Sequence, residues 1–169
     1  MPQFRLTKKF ATDLKITQLH EPENLLPILD DWVIDVIRIQ RKKVAMITHV
    51  NSLLTFLIPY SHVGGAANIP ECIAVLLNEF IYNHDLLEFD LQIQTLFKQP
   101  IVFCKTANRK TLGHMNDFKY IIEACTNNLD FDDIDWDDLM VRVNDTLAQV
   151  TPGNYERPTN LLLNFLNGR

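Results

Sequence analysis

A chain of 169 residues, 47% apolar and 22% charged, has the length of one domain and enough apolar surface for a core, which excludes a disordered chain. Its net charge of −5 gives no argument for nucleic acid or for a membrane surface. Cys72, Cys104 and Cys125 are odd in number and lack a C-x-x-C spacing; this argues against a disulfide framework or a zinc site and for a reducing, cytoplasmic compartment.

In chain order, Phe4 to Leu6 reads as a short strand, and Thr7 as the cap of a helix to about Leu14 with Phe10, Ala11 and Leu14 on one side. The opening Met1 to Lys9 contains no apolar h-region, so no secretory signal is expected. His20 to Asp31 holds Pro22 and Pro27 and reads as loop. Trp32 to Gln40 alternates as a strand with Trp32, Ile34 and Val36 on one face; Arg41-Lys42 turns into Val44 to His49. Asn51-Ser52 gives a second turn into Leu53 to Ile58, completing an antiparallel meander. The apolar run Leu53 to Pro59 is far too short to cross a bilayer.

Ser61 to Ala67, with Gly64-Gly65, reads as a flexible connection. Asn68, Pro70 and Glu71 then make a helix start, followed by Ile69, Ile73, Leu76, Leu77, Phe80 and Ile81 at helical spacing. Leu86 to Phe97 fits either a strand or a helix, with a lean to helix because Gln99-Pro100 breaks it cleanly. Ile101 to Cys104 reads as a central strand buried on both faces. Thr111 to about Asn127 is the most regular helix, with Leu112, Met115, Phe118, Ile122, Cys125 and Leu129 in one stripe. Lys110 and Lys119 are expected at its surface. Asp135 caps a further helix whose stripe is Trp136, Leu139, Met140, Val143, Leu147 and Val150, ended by Thr151-Pro152-Gly153. Pro158-Thr159 starts a short last helix. The order implies a single α+β domain, 1–169, with an antiparallel meander or small mixed sheet packed against several amphipathic helices.

Charge is uneven along the chain. Val44 to Phe97 contains no Lys or Arg; Lys98 to Tyr120 holds five basic residues against Asp117, and Ile121 to Asp145 holds eight acids against Arg142. The basic region falls where a strand delivers a polar loop into a helix, whose free N–H groups and dipole favour an anion. Lys105, Asn108, Arg109, Gly113, Asn116 and Asp117 are therefore the candidate ligand-binding residues. The loop is neither a Walker A loop nor G-x-G-x-x-G. In the competing reading Asn108, Asn116 and Asp117 cap and cross-link the loop, Arg109 pairs with Asp117, and the bases are solvated.

Other candidates carry less. The five histidines have no metal-ligand spacing, so no metal is expected, and no cofactor is implied. Cys104 and His114 could approach as nucleophile and base, but Cys104 ends a buried run where a thiol is usually inert. The acidic stretch from Asp130 to Asp138 lacks the Gly and the bidentate Glu of a calcium loop, and suits helix capping or an acidic partner-binding face. Arg38, Arg41, Lys42 and Lys43 lack interleaved aromatics, so a nucleic-acid patch is not favoured.

The run Lys105-Thr106-x-Asn108-Arg109-x-x-Leu112-Gly113-x-Met115-Asn116-Asp117-Phe118 resembles the signature of a family of small, uncharacterised bacterial and phage-associated proteins, a domain of unknown function. Leu6 to Phe10, the Arg41-Lys42-Lys43 hairpin and the Thr48-to-Ser52 turn are similar to it as well. The resemblance runs from Phe4 to about Asn127, leaving 128–169 as a helical extension of the same domain. Lys110 stands where many members have Ser. No activity follows from the resemblance. The residues favour a non-catalytic binding or interaction domain for an anionic ligand or partner at the 105–117 loop. One alternative is an enzyme on nucleotides or nucleic acid, with Asp117 or His114 as general acid/base and Lys105 and Arg109 on phosphate. The other is a structural partner subunit of a two-component bacterial or phage system.

Overall fold

The structure is a computed structural model and describes residues 1–168 apart from Leu25, Ile28 and Ala107. Strands β1 (Gln3–Leu6), β2 (Asp31–Ile39), β3 (Lys42–His49), β4 (Thr55–Pro59) and β5 (Val102–Lys105) form one mixed sheet in the order β4-β3-β2-β1-β5. The expected meander is β2-β3-β4, antiparallel throughout, while β1 lies parallel to both β2 and β5. Apolar side chains leave both faces of β2, so both faces must be covered. Helices α1 (Lys8–Asp13), α3 (Ile69–Asn83), α4 (Asp90–Phe97) and α7 (Pro158–Leu166) bury Phe4, Leu6, Trp32, Ile34, Ala45 and Phe56. On the other face α5 (Arg109–Thr126) and α6 (Trp136–Asn144) bury Val33, Ile37, Val44, Met46 and Leu57. The α+β class holds.

Local chemistry accounts for most boundaries. Thr7 caps α1 by accepting from Phe10 N, Asn108 caps α5 and Asp135 caps α6. The β2–β3 turn falls on Gln40-Arg41, one residue earlier than the sequence suggests. Both residues have left-handed φ, 48° and 69°, which matches strand twist but is strained for L side chains. Gln40 is held there by segment 129–131: its amide contacts the Leu129 carbonyl, and its Oε1 accepts from Phe131 N at 3.0 Å.

Several expectations fail, each for a physical reason. Ile101 to Cys104 is not central: β5 is the sheet's edge, and Ile101, Val102 and Phe103 are only half-buried. The run is apolar because Phe103 packs on Phe4, their ring centroids 6.4 Å apart. Segment 61–67 is not simply a flexible connection. Tyr60–Val63 forms a helical turn, α2, closed by Gly64 in the left-handed conformation, and Ala66–Asn68 forms a 3-10 turn leading into α3. Asn68 therefore does not cap α3; its Nδ2 donates to the Val63 carbonyl at 2.6 Å. The helix expected to reach Val150 stops at Asn144. Ala148–Thr151 (β6) and Asn154–Glu156 (β7) instead form a hairpin about Pro152-Gly153, where Gly153 supplies φ +80°. Leu147 is consequently exposed. On α5, Met115, Phe118 and Ile122 are buried as expected, Leu112 and Cys125 half-buried, and Leu129 lies beyond the helix and exposed.

Candidate functional site

Of the residues singled out in the sequence, Lys105 and Asn108 are engaged within the fold, whereas Arg109, Gly113, Asn116 and Asp117 lie on α5. Asn108 Oδ1 accepts from Thr111 N at 3.0 Å, closing part of the helix N-terminus that an anion would need. Lys105 on β5 pairs with the Glu21 carboxylate, and Lys110 Nζ donates to the Val150 carbonyl. Asn116 Oδ1 accepts from Lys119 Nζ at 3.1 Å. Arg109 and Asp117 are exposed and not bonded to each other, so the expected internal pair is absent among the described residues. Gly113 is exposed too, and a Cβ there would meet nothing within 4 Å. At 100° per residue Arg109, Gly113, Asn116, Asp117 and the exposed Tyr120 share one outward face of α5. Ala107, within the motif, lies outside the described residues.

Asn108 lines a hollow of about 550 Å³ with Asn24, Asn51, Arg5 and Asp31. Its charges are already matched. Arg5 grips Asp31 bidentately, Nε to Oδ1 at 2.7 Å and Nη2 to Oδ2 at 2.6 Å, with both side chains more than nine-tenths buried. Gln3 Nε2 donates to Asp31 Oδ1 and to the Glu23 carbonyl, both at 3.0 Å, and Gln3 Oε1 accepts from Glu23 N at 3.0 Å. This network ties the loop before β2 onto β1.

A larger groove of about 980 Å³ lies at the other end of β2, between α1 and α5. Five cations line it: Lys8 and Lys9 from α1, Arg38 from β2, Lys43 from β3 and Lys119 from α5; its acids are Asp13 and Glu123. Lys43 is neutralised by Asp13 at 2.6 Å, and Asp13 also accepts from Tyr60 OH at 2.9 Å. Burial and that carboxylate push the Tyr60 phenol upward. Lys119, expected at the surface, is half-buried and pairs with Asp35 at 2.7 Å. Asp35 Oδ1 also accepts from Thr7 Oγ1 at 2.6 Å. Burial acts to raise the Asp35 carboxyl, but the hydrogen bonds from Lys119 and Thr7 and the Lys119 charge outweigh it and hold it below the usual range. One carboxylate thus ties together the start of α1, the middle of β2 and α5. Lys8, Lys9 and Arg38 have no carboxylate partner among the described residues, although Arg38 Nη1 donates to the Arg41 carbonyl at 3.1 Å.

A family model described as a domain of unknown function, DUF6933, matches residues 3–161. The chain belongs to that family. The match includes α6 and the β6–β7 hairpin as well as the region before residue 128. Neither the curated proteins nor the solved structures gave a match.

In this DUF6933 chain the remaining candidates are placed as follows. Cys104 is 1% exposed, burial pushes its thiol up, and its Sγ donates to Gln3 Oε1 at 3.5 Å, the opposite of an activated nucleophile. All three cysteines are free. In the acidic stretch Asp135 accepts from Asp138 N, Asp138 pairs with Arg142 and Asp132 pairs with Lys42, while Asp130, Asp133 and Asp137 are exposed. No group of three His, Cys, Asp or Glu side chains could hold a metal among the described residues, and no helix is long and apolar enough to cross a membrane. Sequence reasoning misses Lys8, Lys9, Asp35 and Lys119 as members of a site. A signal for Asp35 is present: an acid inside Trp32-Val33-Ile34-Asp35-Val36-Ile37 must be buried, and a buried carboxylate needs a cation.

Proposed function

We propose that the chain is a binding domain, without catalytic chemistry of its own, that takes an anionic partner in the groove between α1 and α5. The observation that carries this reading is that Lys8, Lys9 and Arg38 face one groove without carboxylate partners, on a chain whose net charge is −5. Cations held together against the charge of the whole molecule raise the local concentration of an anion and its rate of association. The loop at 105–117 offers less, because Lys105 and Lys110 are already engaged and Asn108 occupies its own helix cap.

The test is a thermal-shift titration with poly-L-glutamate, ATP and pyrophosphate at low and high salt. An anion bound only by the folded state raises the melting temperature, and added salt weakens the effect. Lys8→Glu with Lys9→Glu should abolish the shift, and Arg109→Ala should leave it intact. If Arg109→Ala abolishes it while the lysine variant keeps it, the site is the 105–117 loop. If no probe shifts the wild type, the binding reading is dropped.

A further inference from the structure

Among the described residues three strand edges of four residues or more meet no further strand, and two of them carry a mimic of one. At β5, His20 N donates to the Phe103 carbonyl at 3.0 Å, and Lys105 N donates to the His20 carbonyl at 2.9 Å. At β4, Thr55 N donates to Asn144 Oδ1 at 2.7 Å, and Asn144 Nδ2 donates to the Thr55 carbonyl at 2.8 Å. The third place is the far half of β2. Pairing with β1 ends at Leu6 opposite Ile34, whereas pairing with β3 continues to Ile39 opposite Lys42.

The carbonyls of Asp30 and Ile34 face β1, accepting from Gln3 N at 2.7 Å and Thr7 N at 3.0 Å; that of Asp31 faces the β3 side, accepting from Val50 N at 3.0 Å. Backbone groups alternate sides along an extended strand, so Val36 and Arg38 turn theirs the same way as Ile34; the Val36 amide is already met by the Asp35 carboxylate, which leaves the Val36 carbonyl and the Arg38 amide and carbonyl to receive a strand. Both residues line the groove. An unpaired strand edge invites another strand, and natural sheets usually block it.

We propose that the groove receives an extended acidic peptide segment, which adds as a strand to Val36–Ile39. This rests on the groove being the binding site argued above, and it names the occupant. Side chains of an added strand alternate between the two walls. One wall carries Lys8, Lys9 and Arg38 and selects acids; the other carries Ile37 and Ile39, 9% and 7% exposed, beside Lys119 and Glu123, and admits an apolar residue. Main-chain hydrogen bonds supply affinity and the alternation supplies specificity, the logic of strand addition. The open edge spans four residues, about 13 Å at roughly 3.3 Å per residue, so the segment read is short.

The experiment uses the full chain and an acetylated Glu-Val-Glu-Val-Glu-Val peptide, with binding read by calorimetry and edge protection by amide hydrogen exchange. The peptide should bind saturably and slow exchange at Arg38. A backbone N-methylated peptide of the same sequence, and a Lys-Val-Lys-Val-Lys-Val peptide, should each bind at least about tenfold more weakly, near 1.4 kcal/mol. Lys8→Glu with Lys9→Glu should lose the acidic peptide while its exchange elsewhere stays native. Equal binding of the N-methylated peptide, with the Arg38 amide unchanged, overturns strand addition but leaves an anion site in the groove. Sedimentation of the free protein as a dimer with that amide already protected also overturns it, since a second copy then fills the edge. If neither this peptide nor poly-L-glutamate binds, both this inference and the proposed function fall.

Discussion

The two ends of β2 put charge to opposite uses. At the Asp31 end the charges are buried and satisfied: Arg5, Asp31, Gln3 and the Glu23 backbone form a closed network, and the hollow above it offers a ligand no unmatched cation. At the Ile39 end a similar buried carboxylate, Asp35, engages Lys119, but around it Lys8, Lys9 and Arg38 stand at the surface of an open groove. The same sheet edge that β1 closes beside Arg5 is left open beside Arg38. A buried polar network is kept where loop and strand must be fixed, and cations without a carboxylate partner are kept where something can still arrive.

The largest effect tests the closed end. Arg5→Ala removes one partner of a buried pair and leaves Asp31 as an uncompensated charge, which should cost about 3–5 kcal/mol in denaturant unfolding. Replacing both, as Arg5→Met with Asp31→Leu, should cost less than Arg5→Ala alone, because no buried charge is orphaned. A loss under about 1 kcal/mol for Arg5→Ala would mean that water reaches Asp31 freely, and the contrast between the ends would collapse.

Asp35→Asn comes next, at roughly 1–3 kcal/mol, the usual cost of breaking a buried charged hydrogen bond. Its pH dependence has a definite sign. The folded-state carboxyl sits below its ordinary value of 3.8, so its contribution is complete above that value and is lost as pH falls through the lower, folded one. Unfolding measured from pH 6 downward should therefore show the wild type losing stability in acid more steeply than Asp35→Asn. Parallel curves would show that Lys119 and Thr7 do not hold the carboxylate.

How much of this is legible in the sequence depends on whether the information is local. Thr7, Asn108 and Asp135 are readable as caps because a cap acts on an amide within three residues. The meander and the stripe of Met115, Phe118 and Ile122 are readable from periods of 2 and 3.6. The hairpin at Pro152-Gly153 escapes such a reading because Leu147 and Val150 continue a helical spacing that nothing packs against. The groove escapes such a reading for a different reason. The 105–117 motif is contiguous and draws the eye, whereas the groove is assembled from α1, β2, β3 and α5, and no spacing rule links Lys8 to Lys119. That Lys105 meets Glu21, 84 positions away, cannot be read from either residue's neighbours.

Gly113 offers a smaller effect of opposite sign and a control on the outer face of α5. It has no left-handed φ, and a Cβ placed on it would have no neighbour within 4 Å, so a side chain there meets open space. Gly113→Ala should raise stability by about 0.5–1 kcal/mol, the ordinary helical preference for Ala. If it also leaves binding of the acidic peptide unchanged, the outward face of α5 is not part of the recognition surface. If binding is lost while stability rises, something approaches that face closely, and the motif rather than the groove is where the partner sits.

The smallest stability change is expected at the open end, and it is the sharpest test of the comparison. Lys8 and Lys9 lie in the first turn of α1 and make no ion pair among the described residues. Converting both to Glu puts negative charge at a helix N-terminus, which the dipole favours by a few tenths of a kcal/mol each. The folded state should therefore change by no more than about 0.5 kcal/mol in either direction. Recognition should nevertheless be lost, because the wall facing an acidic strand changes from two positive charges to two negative ones. The contrast with Arg5→Ala is then complete: there a single cation matters greatly to folding and not to binding, here two cations matter to binding and hardly to folding. A loss of stability above about 1.5 kcal/mol in the double variant would place the lysines among the fold's own supports. Unchanged stability with unchanged binding would make them ordinary solvated side chains, and the groove would lose its claim to an anionic partner.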